Sequence, residues 1–242
     1  MLKEQVNFYR ENGYLLIEKF FNANEIFKAS ESIKEIITAN PIEKIGEIEP
    51  KDNKIIRRIW SPTKRCAVLK EMAESAKLLD IVEGIIGKNI ALHYSKLNMK
   101  GPKVGSVVEW HQDFSYYPHT NSDLLSCLIY LDDATVENGC LQVIPGSHKT
   151  GLMDHTIDGF FRGKLSQDKV ATIENKATNL NAPAGSIIFL HCLTLHYSAI
   201  NTSDKPRRAF LPAYRAADAF PIYFGPHASH NEPDIRIVRG EK

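Results

Sequence analysis

His111 and Asp113 stand two residues apart in Val107-Val-Glu-Trp-His-Gln-Asp-Phe114. On a strand, positions i and i+2 point to one face, so this imidazole and this carboxylate can meet at one metal ion. A third ligand must come from elsewhere, and His196 follows the apolar run Ile187–Leu190. Two histidines and one carboxylate on one face of an octahedron leave three positions open, the facial triad of non-heme iron(II) oxygenases. Two open positions suit a bidentate 2-oxo acid and the third suits dioxygen. Zinc is the rival metal for the same donors.

Arg207 comes eleven residues after His196, past Asn201-Thr-Ser-Asp-Lys-Pro206. A turn there predicts a strand returning beside His196. The planar guanidinium fork can bond both oxygens of a distal carboxylate. His-x-Asp alone arises often by chance in a chain with nine histidines. The register of His196 and Arg207 is what gives it weight. His191 is five residues before His196, which strand alternation puts on the opposite face, so we read it as structural. Glu109 is assigned no catalytic role. Tyr116, Tyr117 and His119 follow the triad strand and are candidates to line a substrate pocket. Arg57, Arg58, Arg215 and Asp218 are candidates to hold a charged substrate.

The elements that must position these residues fall into two textures. The first, residues 1–89, reads as mainly helical support. Leu2–Arg10 is amphipathic and stops at Asn12-Gly13, and Tyr14–Ile17 is a short strand. Asn24 is placed to cap a helix carrying Ile26, Ser30, Ile33 and Ile37, which Pro41 ends. Ser61-Pro62 opens a second long helix, Thr63–Ile86, stopped by Gly87. From residue 90 to 220, short β-rich runs alternate with turn residues: Ile90–Leu97, Val107–Asp113, Leu124–Leu131, Cys140–Ile144, Ser186–Cys192 and Arg208–Arg215. Asn138-Gly139 reads as a hairpin turn between two of them. This pattern predicts an antiparallel jelly roll with helices on one face. Residues 151–179 are polar and weakly periodic, an insertion over one end of the barrel. The expectation is one catalytic domain over residues 1–242.

Composition narrows the functional classes. The 242 residues are 43% hydrophobic, enough for a sizeable core. Thirty basic side chains against 29 acidic give a net charge of +1, which argues against nucleic acid as a partner. Lys51–Arg65 does concentrate six basic residues against one acidic, a candidate wall for an anionic substrate. Cys66, Cys127, Cys140 and Cys192 match no zinc or redox spacing, so no disulfide framework is implied. The N-terminus lacks the apolar core of a signal peptide, and no run approaches a membrane span. The expectation is a soluble cytoplasmic protein, monomer or homodimer, with no membrane partner.

Three ordered motifs carry a family resemblance: His111-Gln-Asp-Phe-Ser-Tyr-Tyr-Pro-His119, Asn138-Gly-Cys-Leu-Gln-Val-Ile-Pro-Gly-Ser-His148 and His196-Tyr-Ser-Ala-Ile-Asn-Thr-Ser-Asp-Lys-Pro-Arg207. Together, over roughly residues 5–225, the chain resembles the phytanoyl-CoA dioxygenase family, and ectoine hydroxylase within the same superfamily. The resemblance implies a double-stranded β-helix, a distorted jelly roll. It implies iron(II) held by His111, Asp113 and His196, and 2-oxoglutarate gripped by Arg207 with Ser198 and Asn98 near it. The implied activity is hydroxylation of an unactivated C–H bond with release of succinate and carbon dioxide. Tyr94 stands where ectoine hydroxylase has a glutamine, and Ile129 where the phytanoyl-CoA enzyme has a tryptophan. Asp113 argues for hydroxylation, since halogenating relatives replace it with a small residue. With Ile129 read as a lost aromatic wall, the expected substrate is a small anionic or zwitterionic molecule. The alternatives are an acyl-CoA hydroxylase and a metal-binding sensor without activity.

Overall fold

The computed structural model describes residues 2–50, 52–222 and 236–241; Lys51, the first residue of the basic stretch, lies outside them. Helix α1 (Leu2–Asn12) stops at Gly13, whose φ of +78° suits glycine. Strand β1 (Tyr14–Ile17) follows. Helix α2 (Ala23–Ala39) is capped by Asn22 rather than Asn24. Asn22 Oδ1 accepts from the Glu25 backbone N–H, and the Glu25 carboxylate accepts from that of Asn22. This reciprocal pair satisfies two otherwise orphaned donors, which a cap at Asn24 would not.

Helix α3 (Ile42–Ile45) leads into a pair of strands absent from the sequence reading, β2 (Gly46–Glu49) and β3 (Asp52–Trp60). The basic stretch is therefore largely strand. The expected helix Thr63–Ile86 is broken into a 3₁₀ turn at Pro62–Lys64, α4 (Ala67–Ala73) and α5 (Ala76–Ile86). At Ser75 the backbone becomes extended and the hydroxyl donates to the Met72 carbonyl at 2.9 Å. Serine competes for backbone groups in this way and favours helix ends.

The rest of the chain is β4 (Ile90–Lys100), β5 (Val108–His111), β6 (Leu124–Tyr130), β7 (Leu141–Val143), β8 (Thr156–Ile157), β9 (Phe160–Phe161), helix α6 (Gln167–Ala171), β10 (Thr178–Leu180), β11 (Ile187–His191), β12 (His196–Ser198), β13 (Arg207–Ala216) and β14 (Arg236–Arg239). The large sheet runs β1-β11-β6-β13-β4-β3-β2, with β14 also on β4, and the smaller runs β10-β7-β12-β5. β8 and β9 pair with each other inside the 151–179 segment.

Alternation on the central strands makes the two faces. Leu125, Cys127 and Ile129 of β6, with Phe189 and Phe210, pack against Ile26, Ile33, Leu69 and Leu78 of the helices. Leu128 and Tyr130, with Ile188, Leu190, Ala209 and Leu211, face Leu141, Val143 and Leu180 of the smaller sheet. Each fully buried Leu, Ile, Val or Phe among them contributes about 1.5–3 kcal/mol. The two facing sheets form a double-stranded β-helix, with helices backing the larger one.

Two expectations change here. β6 and β7 lie in different sheets, so Asn138-Gly139 is a crossover between layers, not a hairpin turn. Asn138 holds it by accepting from Thr135 N–H and donating to the Asp133 carbonyl, both at 2.8 Å. Ile129 faces the helices, so the aromatic wall argued from it is not an element of this cavity. Among the described residues, no helix is long and apolar enough to cross a membrane.

Candidate metal centre and its cavity

β5 and β12 pair antiparallel with His111 directly opposite His196, their ring centroids 4.0 Å apart. The two imidazoles are thus cross-strand neighbours. β5 ends at His111, and Asp113 opens a 3₁₀ turn (Asp113–Ser115) instead of continuing the expected strand. Gln112 between them keeps extended angles, φ −117° and ψ 130°, so alternation survives one residue further and Asp113 joins His111. The Gln112 side chain is pinned on both sides. Its Nε2 donates to the Gly151 and Leu193 carbonyls, and its Oε1 accepts from Met153 N–H.

The three ligand atoms lie within 4.8 Å of one another. Asp113 Oδ1 is 3.6 Å from His111 Nε2 and 3.8 Å from His196 Nε2. Each imidazole is oriented by the carbonyl two residues before it: His111 Nδ1 donates to that of Glu109 at 2.7 Å, and His196 Nδ1 to that of Thr194 at 2.9 Å. These bonds put the proton on Nδ1 and leave Nε2 a lone pair for metal. Ser126 Oγ donates to Asp113 Oδ2 at 2.9 Å, which leaves Oδ1 for the ion. Burial opposes the Asp113 charge, but the flanking His111 and His196 and the Lys96 ammonium prevail and hold its carboxyl well below the usual range. Burial, reinforced by His111, pushes the His196 imidazole down to about 3. Two imidazole Nε2 atoms and an ionised carboxylate are a donor set that fits octahedral iron(II).

Arg207 begins β13, which returns in the larger sheet and not beside His196 as expected. It meets the end of β12 across the barrel. Arg207 Nη2 donates to Ser198 Oγ and to the Gly139 carbonyl, each at 2.8 Å. Its Nε is buried with no hydrogen-bond partner. No carboxylate of the described residues lies within ion-pair distance of it, although the side chain is buried. An uncompensated buried cation is costly, so this geometry fits an anionic ligand.

Triad and arginine open onto one cavity of about 340 Å³. Asn98, Ser198, Tyr116, Tyr117 and Arg57 reach it, as the sequence suggested. Asn98 Oδ1 accepts from Arg58 Nε at 3.1 Å, and the Tyr116 hydroxyl donates to the Gly163 carbonyl at 2.6 Å. His119, Arg215 and Asp218 are not on its wall. His119 packs on His93 at 5.0 Å and bridges to Pro221. Arg215 is eight residues along β13 from Arg207, roughly 25 Å at the rise of a strand. There its Nη1 donates to the Ala219 carbonyl at 2.6 Å, tying down the segment after the strand.

The sequence reading missed Trp60, Lys96, Ser126, Arg162 and Lys164, which also line the cavity or orient its carboxylate. Lys96 was within reach, because it lies midway between Tyr94 and Asn98 on β4 and period two puts all three on one face. Arg162 and Lys164 come from the aperiodic insertion and carry no local signal. Glu109 lines the cavity as well, where Lys164 pairs with it at 3.4 Å.

The pattern of the phytanoyl-CoA dioxygenase family matches residues 9–209. A probable alpha-ketoglutarate-dependent hypophosphite dioxygenase of Stutzerimonas stutzeri is 35% identical, covering 92% of this chain and 81% of that protein. The human peroxisomal phytanoyl-CoA dioxygenase is 27% identical, covering 99% and 83%. In fold, the chain resembles iron-bound EctD from S. alaskensis with a TM-score of 0.81 and 23% identity, covering 98% and 86%. With its His-His-Asp triad in a double-stranded β-helix, the chain belongs to the phytanoyl-CoA dioxygenase family of iron(II)- and 2-oxoglutarate-dependent oxygenases.

Proposed function

We propose that the protein hydroxylates an unactivated bond to hydrogen in a small anionic or zwitterionic metabolite, consuming 2-oxoglutarate and dioxygen at iron(II). The observation that carries this reading is the buried, unpaired Arg207 opening onto the same small cavity as the triad. His111, Asp113 and His196 would hold the iron. Arg207 and Ser198 would take the distal carboxylate of 2-oxoglutarate, and Asn98 would lie alongside it. Iron(II) with these co-substrates supplies the oxidising power, and succinate and carbon dioxide leave. The protein's own work is to orient the reactants and exclude water. Leu128, Leu190 and Leu211 supply apolar wall, and Tyr94, Tyr116 and Tyr117 close the iron side.

An acyl-CoA substrate is disfavoured by size. About 340 Å³ is near the lower end of small-molecule sites, and 2-oxoglutarate must share it. The 35% identical relative is named for hypophosphite, itself a small anion. The test is succinate release from 2-oxoglutarate by the iron(II)-loaded enzyme in air, over panels of small charged metabolites and of acyl-CoAs. Stimulation by the small panel, with an oxygen atom added to the product mass, supports the reading. Coupled hydroxylation of a long acyl-CoA, with small anions inert, restores the lipid alternative. Succinate release that iron(II) does not support refutes the oxygenase.

A further inference from the structure

Charge in the cavity is lopsided. Arg57, Arg58, Lys96, Arg162, Lys164 and Arg207 line it, against only Asp113 and Glu109. Asp113 belongs to the metal, and Glu109 is engaged by Lys164 at 3.4 Å. Among the described residues, no carboxylate on the wall is therefore free to receive a substrate ammonium. Arg207 is assigned to 2-oxoglutarate under the reading above and Lys164 to Glu109, which leaves Arg57, Arg58, Lys96 and Arg162 on the wall, from three different elements: β3, β4 and the segment after β9.

We infer that the primary substrate is a compact tetrahedral oxyanion, of the phosphonate, phosphinate or phosphite kind, without an ammonium group, clamped by Lys96 with Arg58 and Arg162. The inference rests on the oxygenase reading and sharpens its substrate. Its first support is that Lys96 has no carboxylate within ion-pair distance among the described residues; its Nζ lies only over the Tyr94 ring, at 5.4 Å. Burial, reinforced by Arg58, holds its pKa down to about 8 although Asp113 lies near enough to favour the charged form. The second support is geometric. Arg58 already spends Nε on Asn98 and Nη1 on Glu47, at 3.1 and 3.2 Å. With Nε taken by Asn98, it cannot present the side-on Nε–Nη2 fork that suits a planar carboxylate. What remains is a single donor edge beside a lysine, which binds phosphate-like groups as a point charge. Arg162, exposed and 5.6 Å from the Phe160 ring, also lines the cavity. Point donors from three sides match a tetrahedral group better than a flat one. The reaction balances as X–H plus 2-oxoglutarate plus dioxygen giving X–OH, succinate and carbon dioxide, with one oxygen atom entering X–OH and the other succinate.

The test is calorimetric binding to enzyme loaded with iron(II) and 2-oxoglutarate without oxygen. The probes are ethylphosphonate and phosphite, set against 2-aminoethylphosphonate, propionate and L-proline. Ethylphosphonate or phosphite should bind at least tenfold more tightly than any comparator. Lys96→Met should weaken that oxyanion tenfold or more while changing 2-oxoglutarate affinity less than threefold, and Lys96→Arg should recover part of the loss. Arg162→Gln, read the same way, serves if Lys96→Met melts early by circular dichroism. Equal binding of L-proline or 2-aminoethylphosphonate overturns the inference, as does unchanged oxyanion affinity in both variants. If wild type releases succinate from 2-oxoglutarate yet binds no oxyanion, the clamp alone is wrong. If wild type binds no 2-oxoglutarate, the oxygenase reading falls and takes the clamp with it.

Discussion

Arg207 and Ser198 converge on a single acceptor, the carbonyl oxygen of Gly139, each donating to it at 2.8 Å. Arg207 also donates to Ser198 Oγ, closing a triangle that fixes the guanidinium plane. Gly139 has φ +79°, and a Cβ there would sit 2.4 Å from the Ala199 carbonyl oxygen. The crossover therefore needs glycine for the carbonyl to point where it does. A guanidinium held this way loses little freedom on binding a carboxylate.

Arg207→Ala should weaken 2-oxoglutarate by an amount on the order of 2–5 kcal/mol, because the ligand charge is then left unpaired. Arg207→Lys should recover only part, since one ammonium cannot replace the fork. Anaerobic titration of 2-oxoglutarate into iron-loaded enzyme measures both. Equal affinity in wild type and the Ala variant would remove Arg207 from the site.

His196→Ala deletes one of two cross-strand imidazoles while leaving the β5–β12 pairing able to form. Bound iron should fall below stoichiometric occupancy and turnover should vanish. Metal analysis after dialysis, beside a succinate assay, reads the two effects separately. Full occupancy with unchanged turnover would refute the assignment.

Ser126→Ala removes the donor that holds Asp113 Oδ2 and leaves the fold otherwise intact, because only a hydroxyl is lost. Groups that orient a metal ligand typically contribute about 10–100-fold to metal affinity. An iron(II) competition titration should show a loss in that range. An affinity within twofold of wild type would mean that Asp113 is oriented by something else.

His191 gives the stability an acid limb. It is mostly buried beside His148, and burial, reinforced by His148, pushes its pKa down to about 4 from 6.5. Between those values the unfolded chain binds the proton and the folded chain does not, so stability is present above pH 6.5 and is lost on acidification towards 4. Urea unfolding at pH 7 and pH 5 should show wild type losing on the order of 1–2 kcal/mol more than His191→Gln. Identical pH dependence in the two would discount His191.

The sequence alone determined the chemistry and the kind of fold. Ligand identity was legible because strand alternation is local. His111 and Asp113 share a face through one extended residue, and the apolar run before His196 marks a buried strand. The alternation of β-rich runs and turns likewise indicated the layered sheets; His191 lies on the helix face through alternation with Ile187 and Phe189 in β11, not through its spacing to His196, which is on another sheet.

Tertiary structure decided which sheet each strand joined, and therefore what each side chain meets. Arg207 reaches Ser198 because β13, in the larger sheet, faces β12 in the smaller one, an arrangement that no spacing rule specifies. Ile129 turned to the helices and Arg215 fell at the far end of its strand, although both looked near the site in sequence. The cationic wall was the least legible part. Lys96 followed from period two once β4 was placed, but Arg58 came from a strand hidden in a basic stretch and Arg162 from an aperiodic insertion. A cavity is a sum over distant segments, and local periodicity says which face a residue takes without saying what stands across from it.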